Sequence, residues 1–123
     1  MDWKDFAERV NADPLVARQG AGSSFRLLLR WGEKDHLLEV RDGRLAEHRP
    51  GPFVMPQCDF ALAGSDDAWT RFAQLQPAPR DQDLFAFFRR GEIALTGDTR
   101  KFYAHQMCLK LMLANLRTAE VRS

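Results

Sequence analysis

The chain has 123 residues, enough for one domain that buries roughly two-thirds of its unfolded surface in a single core. Hydrophobic residues make up 45% and charged residues 28%, which is typical of a folded soluble protein and excludes intrinsic disorder. Eighteen basic and seventeen acidic side chains give a formal net charge of +1, so the chain lacks the broad positive field of nucleic-acid-binding proteins. We therefore expect one globular domain over residues 1–123 that does not bind nucleic acid.

We expect neither a signal peptide nor a membrane span. The N-terminal residues Met1 to Asp5 carry acids where a signal peptide carries basic residues, and no apolar run approaches the ~20 residues of a membrane span. Cys58 and Cys108 cannot form a disulfide framework and match no metal-binding spacing. We expect a cytoplasmic protein that holds no metal and no cofactor.

A helical pattern opens the chain. Apolar side chains recur at i, i+3, i+4 and i+7 from Trp3 to Val10, which predicts a helix that ends near Pro14. A short second helical turn from Leu15 to Gln19 is expected to follow, before glycines interrupt the pattern.

Three antiparallel strands are predicted next. Apolar residues alternate from Phe25 to Trp31, and a loop over Gly32 to Asp35 would set the register of the first hairpin. The predicted pairs are Trp31 with His36, Leu29 with Leu38 and Leu27 with Val40. The sequence Asp42-Gly43 is typical of a type I′ turn. Glu47 would fall on the apolar face, so the third strand should bulge or end there, and His48 to Gln57 should form a loop.

The second half alternates strands and helices. Asp59 to Gly64 predicts a fourth strand, after which Ser65 should cap a helix. Asp81 or Asp83 should cap the next helix, Gly91 should end it, Glu92 to Thr96 should form the fifth strand, and Asp98 or Thr99 should cap a last helix that runs to about Arg117. Apolar residues cover more than half the circumference of that helix, so it must contact a second apolar surface: a pocket, a partner chain or a ligand.

Four segments carry a family resemblance. They are Val10 to Pro14, Val40 to Arg44, Asp59 to Gly64 leading to Trp69, and Gly91 to Asp98. Over roughly Trp3 to Arg117 the chain resembles bacterial single-domain members of the sterol carrier protein-2 family. The resemblance implies an α+β fold in which a five-stranded, largely antiparallel sheet is covered by about four to five helices. It also implies an apolar tunnel for sterols, fatty acids or acyl derivatives, and no reaction of the domain's own.

The resemblance also implies which residues line the tunnel. They are Leu84, Phe85, Phe88, Ile93, Leu95, Met107, Leu111 and Met112. Methionine suits such a wall because its flexible side chain adapts to ligands of varied shape. Whether Phe85, Phe87 and Phe88 leave the cavity open or fill it stays undecided at this point.

Three interpretations of function follow. The first is a non-enzymatic carrier for a lipid-like ligand, and the second is a homodimeric interaction or accessory protein of the same fold with a filled cavity. The third and weaker one is an accessory enzyme that uses His105. His36, His48 and His105 lack metal-ligand spacing and are expected to be exposed or hydrogen-bonded singly.

One group of basic residues suggests contact with lipid headgroups. Arg89, Arg90, Arg100 and Lys101 flank the predicted fifth strand and could touch an anionic membrane surface transiently. The alternative is ordinary solvated charge.

Overall fold

The computed structural model describes residues 2–53, 57–74 and 83–117, which form five strands and six helices. In chain order these are α1 (Trp3–Ala12), α2 (Pro14–Gly20), β1 (Phe25–Trp31), β2 (Lys34–Arg41), β3 (Arg44–Pro50), β4 (Phe60–Gly64), α3 (Asp66–Phe72), α4 (Leu84–Arg90), β5 (Ile93–Gly97), α5 (Thr99–Ala104) and α6 (Gln106–Ala114). The strands lie in the order β3-β2-β1-β4-β5, with the β1–β4 pair parallel and the others antiparallel. The predicted α+β fold is confirmed, with one helix more than expected.

Short polar side chains start five of the helices by accepting a backbone hydrogen bond in the first turn. These caps are Asp2, Asp13, Ser65, Asp83 and Asp98. Asp83 is thus the cap of α4, while the alternative candidate Asp81 lies outside the described residues. Gly91 ends α4 at φ 75, the left-handed conformation predicted for it.

The first hairpin has a two-residue loop instead of the predicted four-residue loop. The observed pairs are Trp31 with Lys34, Leu29 with His36, Leu27 with Leu38 and Phe25 with Val40. The predicted register is therefore wrong by two residues along β2. Gly32 occupies the first loop position at φ 63, which a type II′ turn requires and which glycine adopts without strain. Because the shift is even, the same side chains stay on the same face.

The second hairpin follows the prediction. Asp42 and Gly43 both have positive φ, as a type I′ turn requires, and Val40 pairs with Leu45. The register between β2 and β3 shifts after this pair, so Glu47 faces Glu39 across a bulge, and the predicted irregularity at Glu47 is confirmed.

The predicted start of the following loop at His48 is wrong. His48 to Pro50 continue β3, which is an edge strand of the sheet. Proline is tolerated at an edge because its missing N–H faces no neighbouring strand.

The core lies on one face of the sheet. Its centre is built from side chains with no exposed area: Leu27, Leu29, Leu38, Phe60 and Leu62. The opposite face carries ion pairs such as Arg26–Glu39 and Arg30–Asp35. This alternation places the helices and any apolar site on the first face.

The predicted single last helix is wrong, because His105 divides it into α5 and α6. His105 has φ −113 and ψ 18, and a hydrogen bond of 3.0 Å joins its Nδ1 to Ser23 Oγ. Its ring also stacks on Phe25, with centroids 5.4 Å apart. These tertiary contacts hold His105 out of helical geometry, so α5 ends before it and α6 begins after it.

Candidate apolar ligand site

Helix α4 presents phenylalanine rings on two sides. Leu84 and Phe87 point into the core, with 2% and 0% of their surface exposed, whereas Phe85 and Phe88 are half-buried and pack against the core from outside. Since residues three apart share a helix face, the two half-buried rings lie together, and their centroids are 5.4 Å apart in an edge-to-face arrangement.

These two rings join α5 in what we call the aromatic cluster: Phe85, Phe88, Phe102 and Tyr103. Phe102 is fully buried and lies 6.2 Å from Phe85 and 5.7 Å from Phe88, centroid to centroid. Tyr103, 52% exposed, stacks on Phe85 with its ring plane tilted by 10°. The cluster therefore has a buried floor and an exposed rim.

A row of rings leads from this cluster across the sheet. Phe102 meets Phe60 edge to face at 5.4 Å, and Phe60 meets Phe25 at the same separation. All three side chains are at least 97% buried. An apolar path thus runs from the surface at Phe85 to the interior of β4 and β1.

The eight residues predicted to line a tunnel fall into three groups. Leu84, Ile93 and Met112 are core residues with at most 2% exposure. Phe85, Phe88, Leu95 and Leu111 are half-buried and pack against that core. Met107 is 51% exposed and stands outside it. The fold brings seven of the eight into or against one core and leaves Met107 at the surface.

Three residues of this region were not among those eight. Phe102 forms the floor of the aromatic cluster, Tyr103 forms its exposed rim, and the Nζ of Lys110 lies 5.0 Å from the centre of the Phe85 ring. Phe102 and Tyr103 could have been found from the Phe-Tyr pair one turn into α5. The contact of Lys110 joins α6 to α4, and the residue spacing of neither helix indicates it.

One surface depression lies beside α4 and another lies across the sheet, next to β1 and β2. One, of about 150 Å³, is lined by Phe72, Asp83, Leu84, Lys110 and Arg117. Of the eight predicted residues, Leu84 lines it. The other, of about 300 Å³, is an open groove at the far end of the ring row, lined by Ser24, Phe25, Arg26, Glu39, Val40, Arg41, Asp59 and Lys101. Its charged rim suits an apolar ligand poorly.

An ion-pair network fixes the turn between α4 and β5. Glu92 accepts hydrogen bonds from Arg71 and Arg90, which lower its pKa to about 2. The two guanidinium groups also lie over the Phe87 ring, at 5.4 and 4.6 Å from its centre. Phe87 is thereby held in the core while Phe85 and Phe88 face outward.

The basic residues predicted to contact headgroups differ in their surroundings. Arg90 is bound to Glu92, and Lys101 pairs with Asp59 at 3.2 Å. Arg89 and Arg100 are exposed. Two of the four side chains therefore already have structural partners.

Burial shifts the pKa values of a histidine pair and of both cysteines. His36 Nδ1 and His48 Nε2 lie 2.9 Å apart beneath Trp3, and burial lowers the pKa of both side chains, that of His36 to about 4. Burial raises the pKa of the Cys58 and Cys108 thiols, which favours their unreactive protonated form. Within the described part of the chain, no group of three or more metal-binding side chains occurs.

None of the helices in residues 2–53, 57–74 and 83–117 combines the length and apolar character needed to span a bilayer.

Neither a family model nor a curated protein matches the sequence. The fold, however, matches a crystal structure of sterol carrier protein 2 with a TM-score of 0.76 and 10% identity over 93% of this chain and 92% of that one. Sterol carrier protein 2 from Yarrowia lipolytica matches with a TM-score of 0.52 and 16% identity over 93% and 88% of the two chains. A sec-alkylsulfatase from Pseudomonas sp. matches with a TM-score of 0.61 and 19% identity over 99% of this chain and 17% of that enzyme. At these identities the likeness shows the fold, an SCP2-like α+β domain, and confirms the resemblance found in the sequence.

Proposed function

We propose that this chain, which has the fold of sterol carrier protein 2, is a non-enzymatic binding or carrier protein for a lipid-like apolar ligand in the cytoplasm. A sterol, a fatty acid or an acyl derivative fits the proposal. The ligand would lie against α4, β5, α5 and α6, within the one domain that the chain forms. No metal or cofactor is needed for this role.

One observation carries the proposal: the aromatic cluster is buried below and exposed above. Phe85 and Phe88 lie half-buried over the fully buried Phe102, while Tyr103 is open to solvent. Phenylalanine has no polar atom that would favour leaving such rings in water. An apolar ligand covering them removes that surface from water.

The proposed mode of binding is insertion between the outer and inner rings. Phe85 and Phe88 contact each other and Phe102 edge to face. Neither outer ring carries a polar group that would fix its rotation. If they swing outward, Phe102 becomes the floor of a slot together with the core residues Leu84, Ile93 and Met112. Each ligand CH₂ group buried there contributes about 0.8 kcal/mol, so an acyl chain needs no specific motif to bind.

The eight tunnel residues take defined places in this proposal. Leu84, Ile93 and Met112 form the floor, Phe85, Phe88, Leu95 and Leu111 form the walls, and Met107 stands at the mouth. The graded exposure of these side chains, from 0% at Met112 to 51% at Met107, supports that order.

An apolar fluorophore tests the proposal. The purified protein should enhance its emission saturably, and a fatty acid or sterol should displace it. Organic-solvent extraction of the same preparation should yield a co-purifying lipid. Emission that rises without saturation, together with an extract free of lipid, would reject the carrier function.

A second candidate has its own support. Phe87 and Phe102 are fully buried and occupy the space beneath the outer rings, which favours a filled cavity. In that case the exposed Tyr103 and Met107 would pack against a second copy of the chain in a homodimeric interaction or accessory protein.

Native mass spectrometry separates the two candidates. A carrier should appear as a monomer bound to an apolar molecule, whereas the interaction protein should appear as a ligand-free dimer.

A further inference from the structure

Cations on three helices lie beside the aromatic cluster: the exposed Arg89 and Arg100, and the half-buried Lys110. Arg89 follows Phe85 by four positions on α4, and Arg100 precedes Tyr103 by three positions on α5, so each cation shares a helix side with a ring of the rim. On α6, Lys110 follows the exposed Met107 by three positions and reaches over the Phe85 ring. Phe85 is the point where the three helix sides meet.

We propose that this face docks on the surface of an anionic phospholipid bilayer. We define the docking face by Phe85, Arg89, Arg100, Tyr103, Met107 and Lys110. Its centre is apolar and aromatic, its margin is cationic, and the exposed Tyr103 is a residue type that favours the interface between headgroups and acyl chains.

The charges on the face favour an anionic partner. Arg89 and Arg100 are exposed, and Lys110 is paired only loosely with Asp83, at 3.7 Å. The nearby Asp98 is engaged as the cap of α5. Among the described residues at this margin, the three cations Arg89, Arg100 and Lys110 outnumber the two carboxylates Asp83 and Asp98.

The same charges disfavour a second copy of this chain. In a twofold dimer the face would meet itself, and the cations of one copy would face those of the other. Like charges brought together at an interface oppose association. An anionic bilayer instead offers phosphate and carboxylate groups to the margin and acyl chains to the rings.

Docking on a bilayer would give the proposed carrier access to its ligand, and this role of the docking face rests on the proposed function. The docking face is also the mouth of the proposed pocket. A ligand could therefore pass between bilayer and protein without crossing water. Arg89 and Arg100 have no place in the pocket itself, so docking and ligand binding can be changed separately.

Vesicle sedimentation tests the proposal. Wild type should bind vesicles of phosphatidylcholine with phosphatidylserine more tightly than vesicles of phosphatidylcholine alone, and salt should weaken the binding. The double variant Arg89→Ala/Arg100→Ala should bind the anionic vesicles about thirtyfold less tightly, since each cation near such a surface contributes about a factor of five. The control Arg18→Ala/Arg44→Ala removes the same charge from exposed sites on α2 and β3 and should bind like wild type.

Equal vesicle binding by both double variants, or binding of wild type that is equal on neutral vesicles, overturns the proposal. A wild type that sediments as a dimer and ignores vesicles also overturns it and assigns the face to a second copy. Fluorophore binding measured without vesicles should be unchanged in Arg89→Ala/Arg100→Ala. If wild type binds no fluorophore but binds anionic vesicles through these arginines, the carrier function fails and the docking face stands.

Discussion

Two groups of aromatic rings in this molecule are held in different ways. At the end near α1, Trp31 donates from Nε1 to Asp66, Trp69 donates to the carbonyl of Arg30, and Trp3 stacks over the bonded His36–His48 pair. We call these rings the tryptophan–histidine cluster: Trp3, Trp31, His36, His48 and Trp69. In the aromatic cluster, Phe85 and Phe88 touch other rings but have no polar atom to anchor them.

The difference separates scaffold from adaptable surface. Directional hydrogen bonds fix Trp31, Trp69 and the His36–His48 pair, and Trp3 stacks on that pair. Displacing Trp69 or either histidine leaves a part-buried donor or acceptor without its partner. Ring-to-ring contacts of the second group are weaker and less directional, so these rings can move aside for a ligand.

The largest expected effect is on stability at the scaffold end. Trp69→Ala removes a fully buried ring and its hydrogen bond to Arg30, and should lower the free energy of unfolding by about 3–5 kcal/mol. Phe88→Ala removes a half-buried ring and should lower it by only about 1–2 kcal/mol. Urea unfolding followed by circular dichroism compares the two, and equal losses would contradict the division.

As the pH falls, the tryptophan–histidine cluster should lose stability at a higher pH than the turn between α4 and β5. The folded pKa of His36 is lowered from 6.5 to about 4, chiefly by burial and then by His48, with Asp35 opposing. The unfolded chain therefore binds the extra proton first, and stability present above pH 6.5 is lost as pH falls toward 4, on the order of 2–3 kcal/mol.

A second loss should follow at lower pH. Hydrogen bonds from Arg90 and Arg71 lower the pKa of Glu92 from 4.5 to about 2, so its contribution is lost as pH falls through that window. The unfolding midpoint should depend less on pH than in wild type between pH 6.5 and 4 for His36→Gln, and below pH 4.5 for Glu92→Gln. A single profile shared by wild type and both variants would refute this assignment.

Two glycines with the same backbone angle give a smaller and matched contrast. Gly43 and Gly91 both have φ +75, but a Cβ on Gly43 would lie 2.6 Å from the Gly20 backbone, whereas nothing lies within 4 Å of one on Gly91. Gly91→Ala should cost about 1 kcal/mol from the left-handed conformation alone. Gly43→Ala should cost roughly 2 kcal/mol more, since overpacking adds to that strain. Thermal unfolding measures both losses of stability. Similar losses would contradict the expected clash and would show that α2 shifts to make room for the added Cβ.

The smallest expected effect concerns ligand affinity. Phe88→Ala should weaken binding of the apolar fluorophore about tenfold, because part of the proposed pocket wall is lost. Leu15→Ser is the control, since Leu15 is a 54% exposed apolar residue on α2, away from the aromatic cluster. Affinity that falls equally in both variants, or in neither, would remove Phe88 from the site.

Much of the fold could be predicted because local chemistry determines it. The type I′ turn at Asp42-Gly43, the cap at Ser65 and the glycine that ends α4 each depend on residues within one turn. The register of the first hairpin could not be predicted from the pattern. Four-residue and two-residue loops both place Leu27 and Leu29 on the core face, so the pattern fits either.

The division of the last helix depends on distant contacts. His105 leaves helical geometry because it bonds Ser23 and stacks on Phe25, more than 70 residues earlier in the chain. Residue spacing within the helix carries no signal of such partners. The contact of Lys110 with the Phe85 ring likewise joins two different helices, so residue spacing within either helix does not indicate it.

Photo-crosslinking with a diazirine fatty acid, followed by peptide mass spectrometry, tests most directly whether the aromatic cluster binds an apolar ligand. Labels are expected within residues 84–88, 102–103 and 107–112, and excess unlabelled fatty acid should abolish them. Labels confined to residues 24–26 and 39–41, in the open charged groove, or labels that no competitor displaces, would contradict it.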